Sequence, residues 1–138
     1  MFCGNCGHHV PDTNNFCSKC GAPVSRNFLI SEEREVFVIT ALNENIDFTN
    51  HGELTSIFGR IMKKKIIIDL SRVKFIDSTG IGTLATLYYK TTRTKQEIKI
   101  TGVCENVLRA IEALGVDNLL VIQDSKEAAF GDWGITLM

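Results

Sequence analysis

The sequence predicts an α/β domain, with helices packed on a mixed, mostly parallel sheet, preceded by a small cysteine-rich segment. Apolar runs of strand length alternate with stretches of helical periodicity, which is typical of parallel strands joined by helices. Residues 66–68 are all isoleucine, as expected for a strand buried on both faces. Composition changes near residue 25, where Gly, Cys, Asn and His give way to apolar strands. We therefore predict two units, residues 1–25 and residues 28–138.

Composition limits the classes of protein to consider. The 138 residues have 44% hydrophobic content and a mean hydropathy of +0.07, values typical of a globular protein. No apolar run approaches the roughly 18 residues that span a bilayer, and no signal peptide is recognisable, so we expect a cytoplasmic protein without a membrane span. The 15 basic and 16 acidic side chains nearly cancel, which disfavours nucleic acid as a partner.

The first elements are a hairpin and a helix. Apolar runs at 28–30 and 36–39 flank a charged turn at 31–34. A helix is predicted between about residues 49 and 62, and the basic run at 60–65 would form its solvated end. The apolar residues of this helix recur at i, i+3, i+4 and i+7, which favours core packing over a cofactor site. They are Leu54, Ile57, Phe58 and Ile61.

The central strand leads into the most informative motif of the chain. Strand residues 66–70 and a shorter apolar run at 73–76 precede the sequence Asp-Ser-Thr-Gly-Ile-Gly at 77–82. Asp77 and Ser78 are both favoured helix N-cap residues. The following helix has Ile81, Leu84, Ala85 and Tyr88 on one face. We therefore expect Ser78 at a rim between strand and helix, with its hydroxyl at least partly accessible.

The remaining elements continue the alternation. A strand is predicted at 98–103, a helix at 106–114, a short strand at 119–122 and a last helix at 125–130. Gly115 suits the left-handed end of the third helix. Ser125 or Asp124 suits the cap of the last one. The third helix should bury four residues, Val107, Leu108, Ile111 and Leu114.

Four cysteines near the N-terminus predict a metal site. Cys3 and Cys6 form one C-x-x-C pair, and Cys17 and Cys20 form another, each followed by glycine. Two such pairs place four thiolates around a single ion, as in the small ribbons that bind one structural Zn²⁺. A segment of about 25 residues buries too little surface to fold alone, so metal binding should order it.

Other chemistry for these cysteines stays open. Two disulfides, a thioredoxin-like redox pair and a rubredoxin-type iron site are alternatives to zinc. His8 and His9 are expected to be solvated, because four cysteines already complete a ligand set. Cys104 stands alone after a strand and is expected to be a small buried residue at a helix start rather than a reactive thiol. The segment has few charges, so we expect it to contact protein rather than nucleic acid.

The stretch from 66 to 82 resembles the STAS domain family, which is shared by sulphate transporters and anti-sigma factor antagonists. The resemblance rests on an apolar strand ending in Asp69 and Leu70, on Val-x-Phe-Ile at 73–76, and on the Asp-Ser-Thr-Gly-Ile-Gly motif. It extends more weakly over about residues 28–130, through Leu108, Leu114 and Gly115, and does not cover the first 25 residues. It implies a STAS-like fold behind the zinc ribbon.

In soluble antagonists of that family, the motif serine is phosphorylated by a kinase that is itself the anti-sigma factor. The resemblance implies that Ser78 is this serine, with Thr79 as a fallback acceptor. Asp77, Ser78, Thr79 and Gly80 would contact the partner, and a phosphatase would reset the switch. The protein would then be a regulatory binding module and not an enzyme.

Three other interpretations compete with a regulatory role for this chain. The serine could serve only as a helix cap, since capping explains the residue type fully. The domain could be an unphosphorylated docking or structural subunit of a larger signalling or transport complex. Catalysis, for example redox chemistry through the C-x-x-C pairs, is the weakest interpretation, because no nucleophile set, carboxylate pair or nucleotide-binding loop is visible. Asp77 could be either a cap or a partner contact.

Overall fold

The computed structural model describes residues 3, 6–11, 14, 16–21, 27–59, 61 and 64–135. From residue 27 onward it contains strands and helices in alternation. They are β1 (Phe28–Glu33), β2 (Val36–Ala41), β3 (Asn45–Ile46), α1 (His51–Phe58), β4 (Lys65–Asp69), β5 (Phe75–Ile76), α2 (Ser78–Thr94), β6 (Glu97–Thr101), α3 (Glu105–Ala113), β7 (Ile122–Gln123) and α4 (Lys126–Asp132).

Five strands form the main sheet, in the order β1-β2-β4-β6-β7. β1 is antiparallel to β2, and the other neighbours are parallel, so the predicted mixed and mostly parallel sheet is confirmed. β3 and β5 pair separately as a two-stranded parallel sheet, with Ile46 opposite Ile76. β5 leads directly into α2, so this small sheet positions the start of that helix.

The central strand β4 is buried on both faces, as its isoleucines predict. Ile66 and Ile68 belong to the main core together with the buried residues of α1, α2 and α3. Ile67 points to the opposite face and packs with Ala129 and Phe130 of α4. The main core thus lies on one face of the sheet, and α4 covers part of the other.

A buried lysine lies beneath α4. The side chain of Lys99 in β6 is 5% exposed and forms an ion pair with Asp132, which is 62% exposed. The Lys99 ammonium also lies 4.6 Å from the ring centroid of Trp133. The indole N–H of Trp133 donates to Glu97. The cost of burying the Lys99 ammonium is therefore offset by an ion pair and a cation–π contact with residues at the end of α4.

Some predicted boundaries in the first half are wrong. The hairpin turn is Arg34–Glu35, not 31–34, and both residues adopt positive φ, of 51° and 68°. Two positive-φ residues match the right-handed twist of paired strands, so β1 continues through its polar residues. α1 ends at Phe58, and Lys65 begins β4, so the basic run does not close the helix. Arg60 and Lys63 lie outside the described residues.

Several predictions for the second half are also wrong: β6 ends at Thr101 and not at 103, and α4 continues to Asp132 and not only to 130. Leu114 was expected to be buried, but it follows the end of α3 and is 51% exposed. β7 begins at Ile122, whereas 119–122 was predicted, and Leu119 and Val121 are exposed. Gly115 does adopt the predicted left-handed conformation, with φ of 72°. Within the described residues, no helix is both long and apolar enough to cross a membrane.

Candidate functional site

Ser78 is the first residue of α2 and is exposed. The preceding residue, Asp77, is the N-cap: its backbone is extended, and its Oδ1 accepts a hydrogen bond of 2.8 Å from the Gly80 N–H. Within the described part of the chain, the Ser78 hydroxyl makes no hydrogen bond. Of the two residues predicted to cap, Asp77 alone does so. The Ser78 hydroxyl is therefore accessible and has no structural task at this helix end.

Asp77 also connects α2 with the loop before α1. Its Oδ2 accepts a hydrogen bond of 3.2 Å from the backbone N–H of Phe48. Its own backbone N–H donates to the carbonyl of Ile46, also at 3.2 Å. Both carboxylate oxygens are thus engaged within the chain. This geometry gives Asp77 the role of a cap and a bridge between elements.

The two glycines of the motif have different surroundings. A Cβ at Gly80 would lie 2.8 Å from the Ile46 carbonyl oxygen and 2.8 Å from Cγ1 of Ile76. Glycine is therefore required for the close packing of α2 on β3 and β5. A Cβ at Gly82 would meet nothing within 4 Å, and this residue is exposed. Only Gly80 has a reason within the chain to lack a side chain.

Thr79 is exposed beside Ser78, and a short hydrogen-bond chain begins at its carbonyl. The Thr83 hydroxyl donates to the Thr79 carbonyl at 3.0 Å. The same hydroxyl also forms a hydrogen bond of 3.0 Å with Nδ1 of His51. The start of α1 is in this way fixed against the first turns of α2.

Two exposed phenylalanines are placed on the elements that flank Ser78. Phe48, in the loop that Asp77 contacts, is 74% exposed, and Phe75, in β5, is 59% exposed. Burying a phenylalanine stabilises a protein by about 1.5–3 kcal/mol, so exposing two near one rim is a cost to folding. Exposed aromatic residues near a rim are typical of protein–protein contact surfaces. The sequence did not predict that Phe48 and Phe75 are exposed, because the segments around them also fit an ordinary helix start and an ordinary strand.

The same loop carries an acidic residue. Hydrogen bonds from the hydroxyl and then the backbone N–H of Thr49 hold the pKa of the Asp47 carboxyl below its usual range. An exposed ion pair of 3.2 Å joins Lys74, beside Phe75, with Glu44. Asp77 therefore places a carboxylate directly before Ser78, and Asp47 adds a second carboxylate in the loop whose Phe48 N–H donates to Asp77.

The four N-terminal cysteines converge as predicted. Their sulfur atoms all lie within 4.8 Å of one another, with 3.6 Å between Cys3 and Cys20 and 3.6 Å between Cys6 and Cys17. In each knuckle, the N–H of the following glycine donates to the first cysteine's carbonyl, at 2.9 Å for Gly7 and 2.8 Å for Gly21. Both glycines have positive φ, which explains their place after each pair.

The cluster fits a tetrahedral metal ion. Four sulfurs bound at about 2.3 Å to zinc would lie about 3.8 Å apart, close to the observed cross-knuckle distances. A hydrogen bond from the His8 backbone lowers the pKa of the Cys6 thiol, but partial desolvation and the three neighbouring sulfurs bring that pKa up to about 11. Without a cation, four thiolates this close repel one another. The buried Val10 packs against Cys3 and Cys17.

The fifth cysteine is separate from this cluster. Cys104 is half-buried, occupies the N-cap of α3 and donates from Sγ to the Val73 carbonyl at 3.4 Å. Its place at a helix start agrees with the prediction, but Cys104 is half-buried and not fully buried.

The sheet order and the helices packed on it define a class of small mixed α/β domains. A family model for the STAS domain matches residues 29–129, and the chain belongs to this family. A zinc-ribbon domain model matches residues 2–24.

Solved structures share the fold at low sequence identity. One, described as a candidate anti-sigma factor antagonist from Thermotoga maritima, has 19% identity and a TM-score of 0.70, covering 76% of this chain and 92% of that one. An anti-sigma factor antagonist from Mycobacterium paratuberculosis has 22% identity and a TM-score of 0.67, with coverage of 76% and 91%. The murine anion transporter Slc26a9 has 22% identity and a TM-score of 0.61 over 74% of this chain and 18% of that one.

Proposed function

We propose that this protein is a cytoplasmic, non-enzymatic regulatory module of the anti-sigma factor antagonist type, switched by phosphorylation of Ser78. Its partner is a protein serine kinase that also acts as an anti-sigma factor. The unphosphorylated form captures this kinase, and the phosphorylated form releases it. The proposal rests on one observation: Ser78 is exposed, and its hydroxyl is not needed as the helix cap because Asp77 has that role.

The surroundings of Ser78 favour a protein partner. Phe48 and Phe75 offer aromatic surface, and aromatic residues dominate the binding energy of many interfaces. Gly82 follows Ser78 by one helical turn and faces open space, which allows a partner to approach α2 closely. A phosphate at Ser78 adds about −1.5 to −2 charges in this surface. That charge would oppose an acidic or apolar partner surface, while a helix N-terminus tolerates it.

The first test is whether Ser78 is modified and whether the modification matters. Protein purified from its own host should show a phosphoryl mass on the peptide containing Ser78. Ser78→Ala should keep capture of the co-purified kinase, and Ser78→Asp should weaken it, as measured by calorimetry. Thr79→Ala is the matched control, because it removes the neighbouring exposed hydroxyl. Equal affinity of the Ala and Asp variants would refute the phosphorylation switch.

A docking role without phosphorylation is the second candidate. The likeness to a segment of the Slc26a9 anion transporter favours it, since that fold occurs there within a much longer chain. In this role the same surface would hold a structural partner permanently. Ser78 would then carry no phosphoryl group in the host, and Ser78→Asp would weaken binding no more than Thr79→Ala does.

The second part of the proposal is one structural Zn²⁺ held by Cys3, Cys6, Cys17 and Cys20. The four sulfurs have the number and spacing that a tetrahedral zinc site needs. Elemental analysis of untagged protein should find one zinc per chain. Cys6→Ser should lower the zinc content, whereas Cys104→Ser, the matched control, should not. Iron in place of zinc, or less than half an equivalent of zinc, would refute this part.

We further assign residues 1–25 and 28–138 to separate units. A zinc chelator should then disorder the first unit and leave the second folded, which near-complete retention of far-ultraviolet circular dichroism would show. Loss of cooperative unfolding of the whole chain on chelation would contradict this division.

A further inference from the structure

The Asp77 carboxylate contacts two elements with separate oxygens. Oδ1 accepts from the Gly80 N–H at 2.8 Å inside the first turn of α2, and Oδ2 accepts from the Phe48 N–H at 3.2 Å in the loop before α1. The first bond is the shorter and is partly buried, whereas the second is exposed. The contact with Phe48 is therefore the weaker of the two.

The loop that carries Phe48 is otherwise held mainly by its own polar groups. Asp47 accepts from the Thr49 N–H at 2.9 Å, and the Asn50 side chain accepts from the Asp47 N–H at 3.0 Å. The Asn50 side-chain amide also donates to the Asn45 carbonyl at 2.7 Å. Among the hydrogen bonds of the described residues, the one to Asp77 links the Phe48 backbone to the start of α2. It thus connects the most exposed of the large apolar side chains that the structure describes to the residue before Ser78.

A phosphate on Ser78 would compete with this arrangement. It places a second, more highly charged anion beside Asp77 at the same helix N-terminus, where both groups are attracted to the same backbone N–H groups. Like charges this close repel, and the repulsion is relieved most easily by giving up the weaker bond. The short bond to Gly80 keeps its place because it caps the helix.

We propose that phosphorylation of Ser78 displaces the Asp77 carboxylate from the Phe48 N–H and so changes the placement of Phe48 on the partner surface. Asp77 is then a positioning residue that transmits the state of Ser78 to an aromatic contact residue. This inference rests on the proposed phosphorylation of Ser78. It adds a conformational route by which the added charge acts on the partner.

Asparagine at position 77 isolates the bond in question. Asparagine caps helices as well as aspartate does, so its carbonyl oxygen can still accept from Gly80. Its other terminal atom is an NH₂ group, which cannot accept from the Phe48 N–H. Asp77→Asn therefore removes the contact with Phe48 while it keeps the cap.

The test uses the full-length chain and the Phe48 amide as reporter. Amide exchange with water would be measured by nuclear magnetic resonance for four forms: the native protein, Ser78→Ala, Asp77→Asn, and protein with phosphoserine inserted at position 78 during translation. Exchange at Phe48 should increase about tenfold in the last two forms, which corresponds to losing about 1.4 kcal/mol. Ser78→Ala should leave the rate unchanged. The Gly80 amide should stay protected in all four.

Suppose that Asp77→Asn raises the exchange rate of the Phe48 amide, but phosphoserine at position 78 leaves that rate within about twofold of the native rate. This result would overturn the inference. An unchanged rate in Asp77→Asn would overturn it too, because the bond would then not hold the loop. Neither result depends on partner capture. The proposed function fails separately, if Ser78→Asp captures the kinase as well as Ser78→Ala does.

Discussion

The two glycines of the Asp-Ser-Thr-Gly-Ile-Gly motif allow a matched test of the site's packing. Gly80→Ala and Gly82→Ala make the same chemical change on the same helix, two residues apart. A Cβ at position 80 would lie 2.8 Å from the Ile46 carbonyl oxygen and 2.9 Å from Cγ2 of Ile46. A Cβ at position 82 meets nothing within 4 Å. The structure therefore predicts effects of opposite sign.

The magnitudes follow from these distances. Ordinary contact begins at 3.4 Å, so α2 or Ile46 must move by about 0.6 Å (3.4 − 2.8) to admit a methyl group at position 80. Overpacking of this kind costs about 1–3 kcal/mol, and alanine's better helix propensity offsets up to about 1 kcal/mol of it. Gly82→Ala has only the favourable term, about 0.5–1 kcal/mol. The two variants should differ by about 2 kcal/mol in the free energy of unfolding.

Urea unfolding of the zinc-loaded protein, followed by circular dichroism, measures this difference. With a urea dependence of about 2 kcal/mol per molar, the midpoints should differ by about 1 M, with Gly80→Ala below the native protein and Gly82→Ala above it. The slopes should stay equal, since both variants share one fold. If Gly80→Ala unfolds at the native midpoint or higher, the close packing of α2 on β3 is refuted.

The Gly82 variant also tests the partner surface. If Gly82→Ala is more stable than the native protein but captures the kinase more weakly, glycine at position 82 is needed for contact with the partner. Unchanged capture would remove Gly82 from the proposed surface.

Three further predictions concern hydrogen bonds and charge. Tyr88→Phe should cost about 1–3 kcal/mol, because the Tyr88 hydroxyl donates to the Ile98 carbonyl at 2.7 Å and accepts from the Val121 N–H at 3.0 Å. Burial raises the pKa of Tyr88 above its ordinary value. The contribution of the neutral hydroxyl to the free energy of unfolding is therefore complete below about pH 10 and is lost as the pH rises further. Tyr88→Phe should reduce the fall in unfolding free energy at alkaline pH. Lys99→Met should leave thermal stability unchanged or raise it, because an apolar side chain of similar size removes the cost of burying a charge, and a fall in the melting temperature would contradict this. Asp77→Ala should lower the urea midpoint through loss of a cap worth about 0.5–2 kcal/mol, while Ser78→Ala changes it little, and equal losses would contradict the assignment of the cap.

The sequence predicted elements whose cause is local. The isoleucine run predicted a strand buried on both faces, because successive side chains of a strand point to opposite faces and all three here are apolar. The Asp-Ser motif predicted a helix start, because short polar side chains satisfy free amides there. The cysteine spacing predicted the convergence of four sulfurs, because each knuckle is a tight local turn.

Features that depend on distant contacts were not predictable. The cap could not be assigned to Asp77 rather than Ser78, because both residue types cap equally well. Phe48 lies in a loop whose backbone contacts Asp77, 29 residues away, and no local pattern marks its side chain as exposed. β3 and β5 have two residues each and form only because they pair with one another. Leu114 fitted the apolar stripe of α3, but the helix ends one residue before it.

The order of the sheet has a consequence for how this domain can associate. Edge strands offer unpaired backbone groups to which another chain can add a strand, a route to aggregation as well as to recognition. Here one edge, β7, has only two residues, and the other, β1, ends in Glu32 and Glu33. A short strand and adjacent negative charges both discourage strand addition. Growth of the sheet between copies is thus restrained at both ends, which leaves helices and loops to select the partners.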